Sequence, residues 1–587
     1  MTNNLNLVDD NWIRVIDNDA TLQEVSIREV LTNADKYKAL SGELPTQNVA
    51  ILRFLLAILY RVFMYKDVNG REDSLFADEW SDLDELMAMA RERWEALWKM
   101  KKFPETLINQ YLDEYHDRFW LFDDQHPFYQ VPKEVAQRGT KYTAGKLNGE
   151  VSESNNKERI FANRSRETRY TLTFPEAARW VIHYQGFDDT SGKEVKEYDE
   201  TGKKIKKDTC GAGWLGRLGL IYAEGNNLFE TLMLNLVLFR SPTQKKTQWS
   251  HEAGRPAWEL DEPRVKEREK IRCPENPCEL FTLQSRRIWL EREGNTVTTI
   301  YMVGGDFFDK ENAFAEPMTL WRAEKKKTSK SKKTEYTGKY YPKPHTFGKH
   351  LWREFSSVLT NNKLDRVPGI IEWLSFLQQK DLEEHTVITP DVFHVHIVST
   401  AYKDKYFCVN DVFEDSLSFH ANIMTKAKES EGVLTIIQEE IENCEKAAKS
   451  LETLEKSVKK AVGLRENPKK KMECMVLKGR YFEQIDELFQ KFILELDAQM
   501  KESVRKEKQL EWQKTSKRIA GRIAREYIAE CGPEAVAGRT IIEKGEKGDV
   551  ERHYSAGEAI NYFRIGLAMT YPEYKQEEPK EGENHGE

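Results

Sequence analysis

The chain has 587 residues, 39% hydrophobic and 32% charged, with 90 Lys+Arg against 98 Asp+Glu for a formal net charge of −8. That apolar content excludes a wholly disordered or collagen-like polypeptide. The near balance of charge excludes a protein that coats nucleic acid over its whole surface, so any such contact falls to local basic patches. Seven cysteines, odd in number and thinly spread, predict free thiols in a reducing cytoplasm. No basic segment followed by an apolar stretch opens the chain in the manner of a signal peptide.

Residues 5–15 alternate as a short strand around Trp12, and residues 25–31 begin a helix. Pro45 opens a long helix in which Leu52, Leu55, Leu56, Leu59 and Phe63 recur at the 3–4 spacing of a core-facing stripe. Its apolar run is broken by Arg53 and Arg61. It falls short of the roughly 20 uninterrupted residues of a bilayer span, which predicts a buried helix and no membrane contact. A second helix carries Leu83 to Trp98, and aromatic turns follow at residues 119–122 and 126–130. A further helix resumes near Pro175. Residues 191–208 form a charged insertion, 210–214 a glycine-rich loop, and 229–239 another buried helix. Residues 280–412 mix β-branched runs with turn residues, interrupted by a lysine-rich stretch, 325–333, that reads as a mobile surface loop. Beyond Asp415 helical stripes take over, with breaks at Asn467-Pro468 and Gly532-Pro533. The predicted fold is α+β: a large mixed domain over 1–415, a four-helix bundle with short connections over 416–572, and a disordered tail over 573–587.

Cys273 and Cys278 form a lone pair with no second pair nearby, short of the four ligands of a structural zinc. His394 and His396 alternate on one strand face, which makes a metal-dependent nuclease the competing reading. No carboxylate cluster accompanies them. There is no Gly-x-Ser-x-Gly elbow, and no Lys-Ser/Thr follows Gly211-Ala212-Gly213 to make a phosphate loop. No catalytic residue, cofactor or metal is therefore expected. Basic segments are the stronger signal. Lys157, Arg159, Arg164, Arg166 and Arg169 interleave with Phe161, Asn163 and Tyr170, a mixture suited to gripping phosphates while an aromatic or amide touches a base. Arg286 and Arg287 sit side by side on a predicted strand, so they face opposite ways and one is expected to meet a ligand or partner.

Asn11-Trp12-Ile13-Arg14-Val15 near the start, Phe122-Asp123-Asp124-Gln125-His126-Pro127-Phe128-Tyr129-Gln130, Leu283-Gln284-Ser285-Arg286-Arg287-Ile288, Gly304-Gly305-Asp306 and Glu316-Pro317-Met318-Thr319-Leu320-Trp321-Arg322 appear in that order. Together with the closing helices, this series resembles the CasA family, the large subunit of the type I-E CRISPR surveillance complex, Cascade. The resemblance implies an RNA-guided DNA-binding assembly in which guide pairing reads sequence and this subunit reads a short PAM duplex from the minor groove. It implies a first loop at Phe161, Ala162 and Asn163 that contacts the guide RNA 5′ end and the PAM region. It implies a glycine loop at Gly211, Ala212 and Gly213, with Lys310 as the nearest candidate for the family's minor-groove lysine. The wedge that splits the first base pairs falls on residues 402–407, with Lys405 and Tyr406 at its tip. The partners implied are double-stranded target DNA, the other Cascade subunits including the small subunit at the bundle, and a helicase-nuclease docking on the N-terminal domain. Lys456, Lys459, Lys460, Lys469, Lys470 and Lys471 are candidates for strand contact on the bundle.

Overall fold

The computed structural model describes residues 4–150, 164, 166–190, 211–242, 247–250, 254–327, 334–359, 365–385, 389–402, 409–464, 475–545 and 548–572. The chain divides into two compact units after Thr425, and the whole mixes helix and sheet as the sequence predicts. The first unit opens with a three-stranded antiparallel sheet of Ile13–Asp17 (β1), Leu22–Val25 (β2) and Tyr37–Leu40 (β3), with β1 central. β1 begins later than the strand expected from residue 5. Asn6 Oδ1 accepts from Val8 N at 3.0 Å, and Asp10 Oδ2 accepts from Asn6 N at 2.7 Å. Such side-chain bonds give the backbone a turn in place of a ladder.

Pro45–Phe63 (α1) carries its proline in the first turn, where a missing N–H costs nothing. It is buried on nearly every side, as a helix apolar all round must be. Among the described residues it is the one helix long and apolar enough to cross a membrane, and 89% of that stretch is buried inside the protein. Trp12, Phe128, Tyr129 and Trp258 pack edge-on around its Phe54. Arg53, in the same helix, pairs with the buried Glu316 through two bonds of 2.7 and 2.9 Å. Leu83–Met100 (α2) is capped by Asp82, whose carboxylate accepts from Asp84 N and Glu85 N.

Phe174–Phe187 (α3) starts with a reciprocal capping box between Thr173 and Glu176. After Leu220–Glu224 (β4), Leu228–Asn235 (α4) stops short of the expected residue 239. Asn235 ends it by turning its amide onto β4, donating to Ala223 O at 2.6 Å and accepting from Ala223 N at 3.0 Å. Arg286–Glu293 (β5) and Thr296–Gly304 (β6) pair antiparallel, and Asp306–Phe308 (β7) follows. Trp321–Lys327 (β8) pairs with Thr334–Pro342 (β9), so lysines 325–327 lie in a strand and not in a mobile loop. Threonines and tyrosines along β9 supply the strand-favouring partners that the lysine composition obscured. Val392–Tyr402 (β10) and Val409–His420 (β11) run antiparallel from Val392↔His420 to Tyr402↔Val409, with β4 on the other edge of β10.

The second unit is built on Lys428–Ala461 (α5), Val476–Leu494 (α6), Glu502–Ala529 (α7) and Ala556–Thr570 (α8). Val433, Ile437, Cys444, Ala447, Leu451, Leu454 and Val458 are the buried stripe of α5; Tyr481, Ile485, Phe489 and Phe492 are that of α6. Within this core Ser516 Oγ sits 2.6 Å from Tyr481 Oη and 2.7 Å from Tyr571 Oη. The third and fourth helices are not joined by a short connection. Arg539–Gly545 (β12) and Gly548–Tyr554 (β13) form a hairpin between them, its turn at Gly545↔Gly548. The expected tail, 573–587, lies outside the described residues.

Candidate nucleic-acid interface

The end of α3 organises the site. The last carbonyls of a helix need donors from outside it, and here they come from two distant segments. Tyr402, the last residue of β10, donates its hydroxyl to Phe187 O at 2.7 Å. Gly213 N donates to Asp188 O at 2.9 Å. A Cβ on Gly213 would lie 2.3 Å from Gly186 O, and one on Gly216 would lie 1.9 Å from Tyr402 Oη, so both contacts require glycine. The base of the β10–β11 hairpin and the glycine loop are therefore fastened to one helix end.

Within that loop Gly211 is half-buried, and Ala212 and Gly213 are buried. Gly211 O accepts from Arg286 at 2.9 Å, and Ala212 O accepts from Arg217 Nε at 3.0 Å. A Cβ on Gly211 would fall 1.3 Å from an Arg217 Nη, so the guanidinium occupies the space a side chain would fill. Lys310, exposed just past β7, lies with its ammonium 5.8 Å from the centre of the Tyr341 ring. Burial of its stem and the charge of Arg217 lower its pKa, with Asp309 opposing. The structure thus brings Gly211, Ala212, Gly213, Lys310 and the hairpin base into one neighbourhood.

The floor is ionic. Arg286 pairs with Asp188 and donates to Asp189 O at 2.7 Å, while Lys146 Nζ lies 3.1 Å from Asp189 Oδ2. Arg287 pairs with Asp306, which also accepts from Arg268 at 2.8 and 2.9 Å. Burial works against the charge of Asp306, but Arg268 and Arg287 outweigh it and hold the carboxyl below its ordinary range. The expectation that Arg286 or Arg287 faces a ligand is corrected. They do point opposite ways, but both faces of β5 are covered and both side chains are fully buried against their own carboxylates. Two segments that carry the family resemblance meet here: Asp306 N donates to Gln284 O at 2.8 Å, and a Cβ on Gly305 would lie 2.4 Å from that oxygen.

His394 and His396 share a face of β10, and one ring nitrogen of each is engaged. His396 Nε2 lies 2.5 Å from Glu224 and its ring stacks on Tyr222, while His394 Nδ1 lies 2.7 Å from Ser418 Oγ. Cys273 and Cys278 are free thiols whose pKa values burial pushes well up. Among the described residues no group of three or more His, Cys, Asp and Glu side chains is arranged to hold a metal. Phe161, Ala162, Asn163, Lys405 and Tyr406 lie outside the described residues, as do Lys469, Lys470 and Lys471. Of the other bundle lysines, Lys459 pairs with Glu455 at 2.6 Å and Lys460 donates to Tyr554 Oη at 3.3 Å.

Sequence reasoning missed Arg217 and the anchoring role of Tyr402. The available signal was the density of glycines at 211, 213 and 216, which marks close backbone approach and points to whatever cation lies beside it.

The family model described as CRISPR-associated protein Cse1 matches residues 6–523. A CRISPR-associated protein CasA/Cse1 of Thermus thermophilus is 25% identical over 562 residues, covering 92% of this chain and 98% of that protein. The crystal structure of Thermobifida fusca Cse1 matches with a TM-score of 0.74 at 25% identity, covering 97% of this chain and 98% of that one. A chain of a CRISPR RNA-guided surveillance complex shares the fold with a TM-score of 0.67 at 14% identity, covering 96% and 99%. With a family match running through most of its length, the chain belongs to the CRISPR-associated Cse1 (CasA) family.

Proposed function

We propose that this chain is the large, non-catalytic subunit of an RNA-guided DNA surveillance complex. In this reading it recognises the PAM duplex from the minor groove, starts strand separation, stabilises the R-loop and recruits a helicase-nuclease. Family membership and the shared fold with a surveillance-complex chain support the assignment. The observation that carries the DNA-reading role is the joint anchorage of hairpin and glycine loop on Phe187 and Asp188. Two segments far apart in sequence are held at one place, with Lys310 near them. Minor-groove readout is degenerate, which suits a subunit that accepts several PAM sequences. Phe161, Ala162 and Asn163 act as the loop touching the guide 5′ end, and Lys405 and Tyr406 act as the wedge. Prying apart a base step costs a few kcal/mol; aromatic stacking of about 1–3 kcal/mol per base and guide pairing offset it.

The test replaces Lys405 and Tyr406 together with alanine in the reconstituted complex. Binding to duplex target falls by about tenfold or more, the equivalent of ~1.4 kcal/mol of lost stacking. Binding to a target already opened at the PAM changes far less. Equal losses on the two substrates refute the wedge.

A further inference from the structure

We propose that the outer face of the sheet formed by β5, β6 and the strand Thr140–Thr143 is a platform for single-stranded nucleic acid, with bases stacked on Trp289 and Tyr301 and phosphates held by Lys133 and Lys141. The platform uses neither the β10–β11 hairpin nor the glycine loop, so it stands whether or not the PAM reading does.

Side chains alternate along a strand, and in this sheet Tyr142, Leu290, Ile300 and Met302 are buried in the core. Their neighbours Lys141, Trp289 and Tyr301 point the other way. The register sets Lys141 opposite Tyr301 and Tyr301 opposite Trp289, so the three form one row across three strands. Lys141 is exposed, and both rings are partly open to solvent. The ring centres lie 5.7 Å apart at a tilt of 44°, so neither ring is closed off by a face-to-face stack on the other. Lys141 Nζ lies 5.5 Å from the centre of the Tyr301 ring. At the other end Lys133 reaches over from the helical turn Lys133–Ala136, its Nζ 4.5 Å from the centre of the Trp289 ring. An aromatic pair is thus bracketed by two ammonium groups.

The charges facing the row are those two lysines and Glu291. Lys133 lies 3.6 Å from Glu291 with both side chains partly exposed, a pair that water screens. The face therefore carries a net positive charge, which attracts phosphate. A lysine on its flexible stem leaves an exposed ring readily, because a cation–π contact in water is weaker than the stacking of a base. Sheet faces with open aromatic rings hold unpaired bases in this way. A duplex keeps its bases stacked inside and offers the rings nothing. Lysine is also depleted from protein–protein interfaces, which favours a nucleic-acid occupant over a protein one.

The experiment measures binding of the purified full-length chain to oligo(dT), to oligo(U) and to a DNA duplex of equal length. Trp289→Ala and Tyr301→Ala are each expected to weaken single-strand binding about fivefold or more, the loss of one stacked base. Trp289→Phe and Tyr301→Phe keep a ring and most of the affinity. Lys141→Ala is expected to lower the magnitude of the slope of log K against log salt by about 0.7, the share of one phosphate on a single strand. Photo-crosslinking of iodouracil-bearing oligonucleotides to the unaltered chain, read by peptide mass spectrometry, should mark Trp289 or Tyr301. Tighter binding of oligo(dT) assigns the platform to DNA, and tighter binding of oligo(U) assigns it to RNA. Unchanged affinity in both alanine variants overturns the platform, as do crosslinks confined to other residues. A duplex that binds as tightly as the single strands and is weakened equally by the ring variants overturns it too. Should Trp289→Ala fail to fold, Tyr301→Ala set against Tyr301→Phe decides the matter alone.

Discussion

In the first unit Arg53, Arg286 and Arg287 lie buried against Glu316, Asp188 and Asp306. In the second, the faces that meet in the core are mainly apolar, and pairs such as Arg480–Glu526 and Lys449–Glu452 stay largely in solvent. The two arrangements suit different tasks. A buried pair adds little net stability over a well-packed apolar core, but breaking it is costly, so it specifies position strictly. The candidate interface sits on such pairs, and Arg286 links the floor to the glycine loop through Gly211 O. The bundle draws its stability from area removed from water, which tolerates repacking as long as volume is kept.

The sharpest way to break this comparison is to remove one partner in each unit. Arg286→Ala takes the guanidinium from the buried Asp188 carboxylate and leaves it the weaker pull of Lys146, 3.8 Å away; it is expected to destabilise the first unit by about 3 kcal/mol. Arg480→Ala, which removes a partly exposed pair, is expected to cost under about 1 kcal/mol. Thiol labelling during urea unfolding reads each unit separately, through the buried Cys278 in the first and the buried Cys444 in the second. Similar losses for the two variants would erase the distinction.

Acid provides a second probe. His183 is nearly buried, with Nε2 3.0 Å from Thr46 Oγ1 and the ring stacked on Phe187. Burial pushes its pKa down to about 3, against a small opposing pull from Asp188. Because the folded value is depressed, the unfolded chain takes up a proton at that site first. Stability is intact above the ordinary histidine range and falls as pH drops below it. From pH 6.5 to pH 5 this single group removes about 2 kcal/mol. Asp306, held low by its arginines, adds a loss in the same direction once pH passes below the ordinary carboxylate range. Unfolding of the first unit followed across that window should steepen with acid, and His183→Gln should remove the part above pH 5. A flat profile in the unaltered protein would refute the assignment.

The same contrast explains what could be read from sequence. Apolar period located the bundle stripes and α1 because their burial is carried by residues that are apolar themselves. The hairpin between α7 and α8 escaped notice because Ile542 and Val550 are exposed on it and leave no buried alternation. Arg286 and Arg287 are not legible as buried because a charge looks the same in a sequence whether it faces solvent or a carboxylate 98 residues away, as for Arg286, or 19 away, as for Arg287. The glycine loop was recognisable as a place of close approach, but which neighbour fills each missing side chain is decided by tertiary contacts. Arg217 is singled out only by its tertiary contact, the bond from its Nε to Ala212 O.

Glu440, Glu455 and Arg505 are buried charges in the second unit that depart from its rule, and the first of them allows a finer test. Glu440 is fully buried on α5; Gln509 and Gln513 donate to its Oε1 at 2.8 and 2.6 Å, while its Oε2 has no hydrogen-bond partner. Burial raises its pKa, with the two glutamines and Asn443 opposing. Here the folded value lies above the unfolded one, so the sign is reversed relative to His183. The ionised carboxylate weighs against folding at neutral pH, and that cost is relieved as acid protonates it. Glu440→Gln keeps an acceptor for both glutamines without the charge. It should stabilise the second unit by up to about 1 kcal/mol at pH 7, with the gain shrinking toward zero near pH 4, where the native carboxyl is itself neutral. The readout is the urea midpoint for Cys444 exposure at the two pH values. A gain that persists undiminished in acid would trace to packing and not to charge, and the bundle would then conform to the apolar rule at this position as well.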